Sequence, residues 1–146
     1  MTFIEILLAM ALLLIAGGTL LMVLSRARTQ AAYLGQLQLA QTAVRSQLEA
    51  LQAGPFNTLG SDRAGDLVQE PNMPPIQLSI QIRPADTNTA NPNLVDVSVA
   101  ACWNSFGRPM GEDNNPCNGV MDPGEDVNLN GWLDSPAMLS TRLARR

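Results

Sequence analysis

The stretch that decides how this chain is read is Met1–Gly18, MTFIEILLAMALLLIAGG. A carboxylate, Glu5, stands at its head and an apolar run follows. From Ile6 to Leu24 the only residues other than Leu, Ile, Val, Met and Ala are Gly17, Gly18 and Thr19. That length suits one helical crossing of a hydrocarbon core. The first basic residues, Arg26 and Arg28, come after the run. A secretory signal peptide carries its positive charge before the run and a small-residue cleavage site behind it. A soluble core helix is rarely apolar on every face for so long. A plain membrane anchor fits better, but it gives Glu5 no role, because a carboxylate at membrane depth is costly unless paired.

Past Ala27 the character changes. Leu34, Leu37, Val44, Leu48 and Leu51 recur at helical spacing, with Gln41 filling the gap in the register. Proline is absent up to Gly54-Pro55, which reads as the stop signal. One helix of roughly 50 residues is therefore expected, on the order of 80 Å at 1.5 Å per residue. Residues 1–25 form its apolar half. Residues 26–54 form an amphipathic continuation suited to packing on a domain at 55–146.

The opening stretch resembles the mature N-terminus of the type IV pilin and pseudopilin family. Thr2, Phe3, Ile4 and Glu5 match the family pattern of a Thr-containing start, a glutamate at the fifth residue and an apolar helix. Met1 departs from it where the family usually has Phe, and the proline common some twenty residues in is missing. Gly17-Gly18 is then the expected weak point if the helix melts locally in an assembly. The resemblance implies a processed, methylated, bacterial cell-surface product. It implies a homo-oligomeric filament, with other pilins as possible partners, that leaves the inner membrane on assembly. It also gives Glu5 a partner, the α-amino group of Met1 on a neighbouring subunit. In a low-dielectric core that pairing fixes axial register. Two roles are open within the family: main subunit of a pilus-like filament, or pseudopilin or minor pilin of a secretion or pilus machine. The Arg-rich ending STRLARR suits the second.

Composition narrows the rest. The 146 residues carry a net charge of −4, which argues against nucleic acid as a partner. All nine basic residues are Arg, and without His there is no imidazole base and no Ser-His-Asp arrangement. An enzyme is not expected. Cys102 and Cys117 form one disulfide in a secreted chain, or stay two thiols in a reducing compartment. The exported context implied by the resemblance favours the disulfide. Closing about 15 residues, it would contribute roughly 3 kcal/mol on the chain-entropy model.

The region after Gly54-Pro55 reads as a linker through Pro75. Then Ile76, Leu78, Ile80 and Ile82 alternate with polar residues, as do Val95, Val97, Val99 and Ala101. Each alternation predicts a half-buried strand, with Asp96 and Ser98 outward, and the two are expected to pair antiparallel. Leu139, Thr141 and Leu143 suggest a short third strand. The fold class is α+β: a long helix, its second half packed on a small antiparallel sheet, with a long loop towards the C-terminus.

That loop, 112–137, holds the second distinctive pattern. Asp126, Asn128, Asn130 and Asp134 place oxygen side chains at positions 1, 3, 5 and 9, with Gly131 at position 6. This resembles the calcium loops of EF-hands, dockerins and thrombospondin-type repeats. Ca²⁺ takes six to eight oxygens, and alternate residues of a tight loop can turn theirs inward. The Trp132 carbonyl would be the main-chain ligand. Position 12, normally a bidentate Glu, is Ala137, so Asp122 and Glu125 are the candidates to complete the shell. An echo twelve residues earlier, Asn118-Gly119-Val120-Met121-Asp122, reads as a degenerate half-loop. One Ca²⁺ site is expected; the same pattern also suits a metal-free loop closed by Asx turns. A monomeric, membrane-anchored calcium-binding ectodomain is the reading from another class, and it leaves Glu5 unexplained.

Overall fold

A computed structural model describes residues 2–59, 63–69, 71, 73–85, 93–111 and 122–145. The chain divides into two compact units, Met1–Gly35 and Gln36–Arg146. One helix, α1 (Phe3–Ala53, 51 residues), supplies the first unit and the start of the second. It stops at Gly54-Pro55 as expected and runs unbroken through Gly17-Gly18.

In the first unit every residue from Thr2 to Ala32 is exposed. The helix is long and apolar enough to cross a membrane, and none of its most apolar window is buried within the chain. Glu5 is the only charged residue before Arg26. The Thr19 hydroxyl donates to the Ala16 carbonyl at 2.9 Å, so this side chain finds its acceptor within its own helix.

The second unit packs the remaining helix on a five-stranded antiparallel sheet. Its strands are β1 (Arg63–Val68), β2 (Ile76–Pro84), β3 (Leu94–Ser105), β4 (Arg108–Met110) and β5 (Met138–Ala144). The order is β1-β2-β3, and β4 and β5 both pair with β3. β4 takes Trp103–Ser105, and β5 takes Leu94–Ala100. The expected β2–β3 pair and the expected C-terminal strand are present. β1 and β4 were not expected: β1 falls inside the stretch read as a linker, and β4 is three residues long.

One face of the sheet is built from cross-strand pairs Ile76–Trp103, Leu78–Ala101, Ile80–Val99 and Ile82–Val97. All but Ile82 are almost fully buried. The helix residues buried are Gln36, Ala40, Ala43, Val44 and Leu48. The stripe is thus rotated from the expected one: Leu34 and Gln41 are exposed, and Gln36 is buried. One cause is visible: Trp103 Nε1 donates to Gln36 Oε1 at 3.3 Å, giving a buried amide a partner.

The other face was expected to be outward and polar. Instead Ser79, Gln81 and Ser98 are buried there, beside Ala100 and Cys102. Leu133, fully buried, packs on Ala100 and Cys102, with Met138 against them. The long loop covers this face, and alternation within a strand carries no signal of a covering that comes from elsewhere in the chain.

Candidate functional site

The described part of the loop begins with a turn. The Asp122 carbonyl accepts from Glu125 N at 3.2 Å, with Pro123 and Gly124 between them and Gly124 at φ +103°. Pro followed by a positive-φ Gly is the pattern of a type II turn. Glu125 Oε2 then accepts from Asp122 N at 2.7 Å, locking the turn from the side-chain direction.

Beyond it, Asp126 organises the next five residues. Its Oδ1 accepts from Asn130 N at 2.9 Å, and its Oδ2 from Gly131 N at 2.7 Å. Asn128 Oδ1 accepts from Asn130 N at 3.0 Å, and Asn130 Oδ1 from Trp132 N at 2.7 Å. Asp134 closes the circuit: its Oδ2 accepts from Val127 N and Asn128 N at 2.8 and 3.1 Å, and its Oδ1 from Asn128 Nδ2. Leu129 at φ 57° and Gly131 at φ 83° make the two sharp bends. Leu129 holds a conformation that costs a side-chain-bearing residue about 1 kcal/mol or more.

The loop is anchored to the sheet from below. Leu133 N donates to Gln81 Oε1 at 3.0 Å, and Ser135 Oγ donates to the Ala101 carbonyl at 2.6 Å. The Arg83 guanidinium lies 4.8 Å from the centre of the Trp132 ring, a cation–π contact. Gln81 and Arg83 are not marked by any sequence motif. Their signal is their place at alternate positions of β2 on the face away from α1, which marks them only once that face is known to be covered.

Of the expected ligand set, Asp126, Asn128, Asn130 and Asp134 are joined by one hydrogen-bond circuit, and Asp134 N donates to the Glu125 carbonyl at 3.0 Å. Ala137 is committed elsewhere: it is buried, and its carbonyl accepts from Ala101 N at 2.9 Å. Glu125 is only 5 % exposed, and its Oε1 has no hydrogen-bond partner. A buried carboxylate oxygen without a protein donor is one that a cation or an ordered water can satisfy. Among the described residues no three His, Cys, Asp or Glu gather as a metal-type cluster. The donors here are of another composition, two loop carboxylates, two amides and main-chain oxygens, which suits a hard cation such as Ca²⁺ rather than zinc.

Cys102 is buried on β3, and Cys117 lies outside the described residues, as does Met1. Glu5 has a local partner within its own helix start. Thr2 N donates to Glu5 Oε2 at 2.8 Å, and Glu5 N donates to the Thr2 carbonyl at 3.0 Å. Thr2 is the residue before the first helical one, and Thr-x-x-Glu is a capping-box spacing. Compared with known proteins, the chain matches no family model, no curated relative and no solved structure.

Proposed function

We propose that this chain is a structural subunit of a type IV pilus-like extracellular filament, held in the inner membrane before assembly. One observation carries the reading: the helix from Phe3 to Leu24 buries none of its faces within the chain, and its only charge is Glu5. In the filament, neighbouring helices cover those faces, and Glu5 meets the α-amino group of a neighbour's Met1. The second unit forms the outer domain. Its loop takes one Ca²⁺ through Asp126, Asn128, Asn130, Asp134 and the Trp132 carbonyl, with Glu125 or Asp122 adding a carboxylate. A Cys102–Cys117 disulfide ties the loop's start to β3.

The capping box favours a second reading of another class, a monomeric membrane-anchored calcium-binding ectodomain in which Glu5 serves only its own helix. Glu5→Gln separates the two. The amide can still accept from Thr2 N, but it cannot neutralise an amine. Electron microscopy of surface-sheared material is the test. Filaments built mainly of this chain, lost in Glu5→Gln with membrane insertion intact, support the filament reading. Filaments unaffected by the substitution remove Glu5 from assembly. Absence of filaments from the wild-type chain favours the ectodomain, and filaments of another subunit carrying traces of this one indicate the pseudopilin or minor-pilin role.

A further inference from the structure

The loop contains a peptide bond that is chemically poised and physically restrained. Asn130 is followed by Gly131, one of two Asn-Gly pairs in the chain. Where no side chain follows, the next main-chain nitrogen can reach an asparagine side chain with little steric hindrance. The general reaction is intramolecular. The Gly131 nitrogen attacks Asn130 Cγ, a C–N bond forms, and the Cγ–Nδ2 bond breaks. Ammonia leaves with the proton from the Gly131 nitrogen, and a succinimide remains. Water then opens the ring to aspartate or isoaspartate.

Two contacts oppose the first step. Gly131 N donates to Asp126 Oδ2 at 2.7 Å, so the nucleophile's proton is engaged by a carboxylate and its lone pair is held within a fixed amide plane. Asn130 Oδ1 accepts from Trp132 N at 2.7 Å, which fixes the electrophile's side chain. Asn130 itself is exposed, so water and base have access to it once the restraint is released. A Cβ at Gly131 would lie 2.6 Å from Arg83 Nη1, and its φ is +83°, so the position holds the one residue type that also makes the peptide vulnerable.

We infer that Asn130-Gly131 is a guarded deamidation site, with Asp126 as the guard, and that opening of the loop converts it irreversibly. The product matters to the loop. Aspartate at 130 adds a third carboxylate to Asp126 and Asp134. Isoaspartate adds a methylene to the backbone at the bend and cannot keep the hydrogen-bond circuit. The inference stands on the loop's hydrogen bonds and does not require the metal reading to hold.

The experiment incubates the full chain in detergent micelles in mildly alkaline buffer. Peptide mapping by mass spectrometry follows the exchange of amide for carboxyl at Asn130 and separates the two isomers. Losing a charge-assisted hydrogen bond predicts conversion about tenfold faster in Asp126→Ala than in wild type. The wild-type chain in denaturant, where the loop is open, is expected to convert at least as fast as the variant. Equal rates for folded and denatured wild type overturn the inference, and this comparison stands even if Asp126→Ala does not fold. A folded Asp126→Ala that converts no faster than wild type overturns the role of Asp126. Repeating the folded arm with Ca²⁺ and with chelator reads the metal separately: slowing by Ca²⁺ adds a second guard, and no change counts against metal in the loop while leaving Asp126 in place.

Discussion

At the scale of single residues, three side chains set testable limits. Trp103 is 1 % exposed and joins sheet to helix through Gln36. Trp103→Phe keeps most of the apolar contact but strands the Gln36 oxygen, so a loss of about 1–3 kcal/mol is expected in denaturant unfolding of the wild-type and variant chains. Leu133 is fully buried and is the loop's apolar anchor; Leu133→Ala is expected to cost about 2–5 kcal/mol. Asp96 forms an ion pair with Arg142, with Nε to Oδ1 at 2.7 Å and Nη2 to Oδ2 at 2.9 Å. Hydrogen bonding from Arg142 and its charge hold the Asp96 carboxyl below its ordinary 3.8, against the opposing effect of burial. A carboxyl lowered on folding stabilises the fold above the unfolded value, and that contribution is lost as pH falls through the folded value. Arg142 is more than half exposed, so solvent screening keeps the pair to about 1 kcal/mol or less. Asp96→Asn should therefore lower stability slightly at neutral pH, and the difference from wild type should shrink below roughly pH 4 and vanish below the folded value in paired acid titrations.

At the scale of elements, legibility in the sequence follows from how each element is stabilised. β2, β3 and β5 carry alternating apolar residues, so the letters alone announce them. β1, Arg63-Ala-Gly-Asp-Leu-Val68, has no alternation; it exists because the edge of β2 is open to it, with a bulge between Ala64 and Leu67. Gly65 makes the approach possible, since a Cβ there would lie 2.9 Å from Leu78 Cβ. Gly65→Ala should accordingly raise amide exchange across β1 while leaving β2–β3 protected, as hydrogen-exchange measurements can check. β4 depends on a tight turn at Phe106 and Gly107, both at positive φ. A phenylalanine in that conformation is not a turn signal a reader of sequence would use. The helix's length and end are legible, as are Val44 and Leu48 of its buried stripe; Gln36, Ala40 and Ala43 are not, because they fall where leucine spacing leaves no mark. The capping box is present in the letters Thr2 to Glu5, where the more specific filament resemblance draws the eye first. In the loop, the oxygen-bearing positions are legible as a pattern. Their anchorage through Gln81 and Leu133 is not, since it joins residues 52 apart in the chain.

At the scale of the whole molecule, the second unit is a three-layer arrangement of helix, sheet and loop. One buried hydroxyl, on Ser105 in step with the helix-facing residues of β3, lacks a hydrogen-bond partner, and the loop-facing layer retains four more such groups, at Ser79, Gln81, Ser98 and Glu125. Such a layer gains most from a ligand that orders the loop. On the proposed calcium reading, Ca²⁺ at a hundred times its dissociation constant should add about 2.7 kcal/mol to the stability of this unit. Chelator should remove that increment, and Trp132 fluorescence, with Trp103→Phe as background, is a suitable local reporter. Unchanged melting with and without Ca²⁺ would count against the metal.

The shared edge of β3 has a further consequence, for synthesis. Leu94–Ala100 pairs with β5, which follows it by some forty residues and is the last strand of the sheet. While the ribosome is still making the loop, β3 has β2 on one side and an unclaimed row of backbone donors and acceptors on the other. Any nascent neighbour with a compatible strand can take that row first. The chain thus passes through a window of vulnerability whose duration is set by the loop. A version ending at Ala137 should remain in that window, recoverable as aggregates rather than as folded domain.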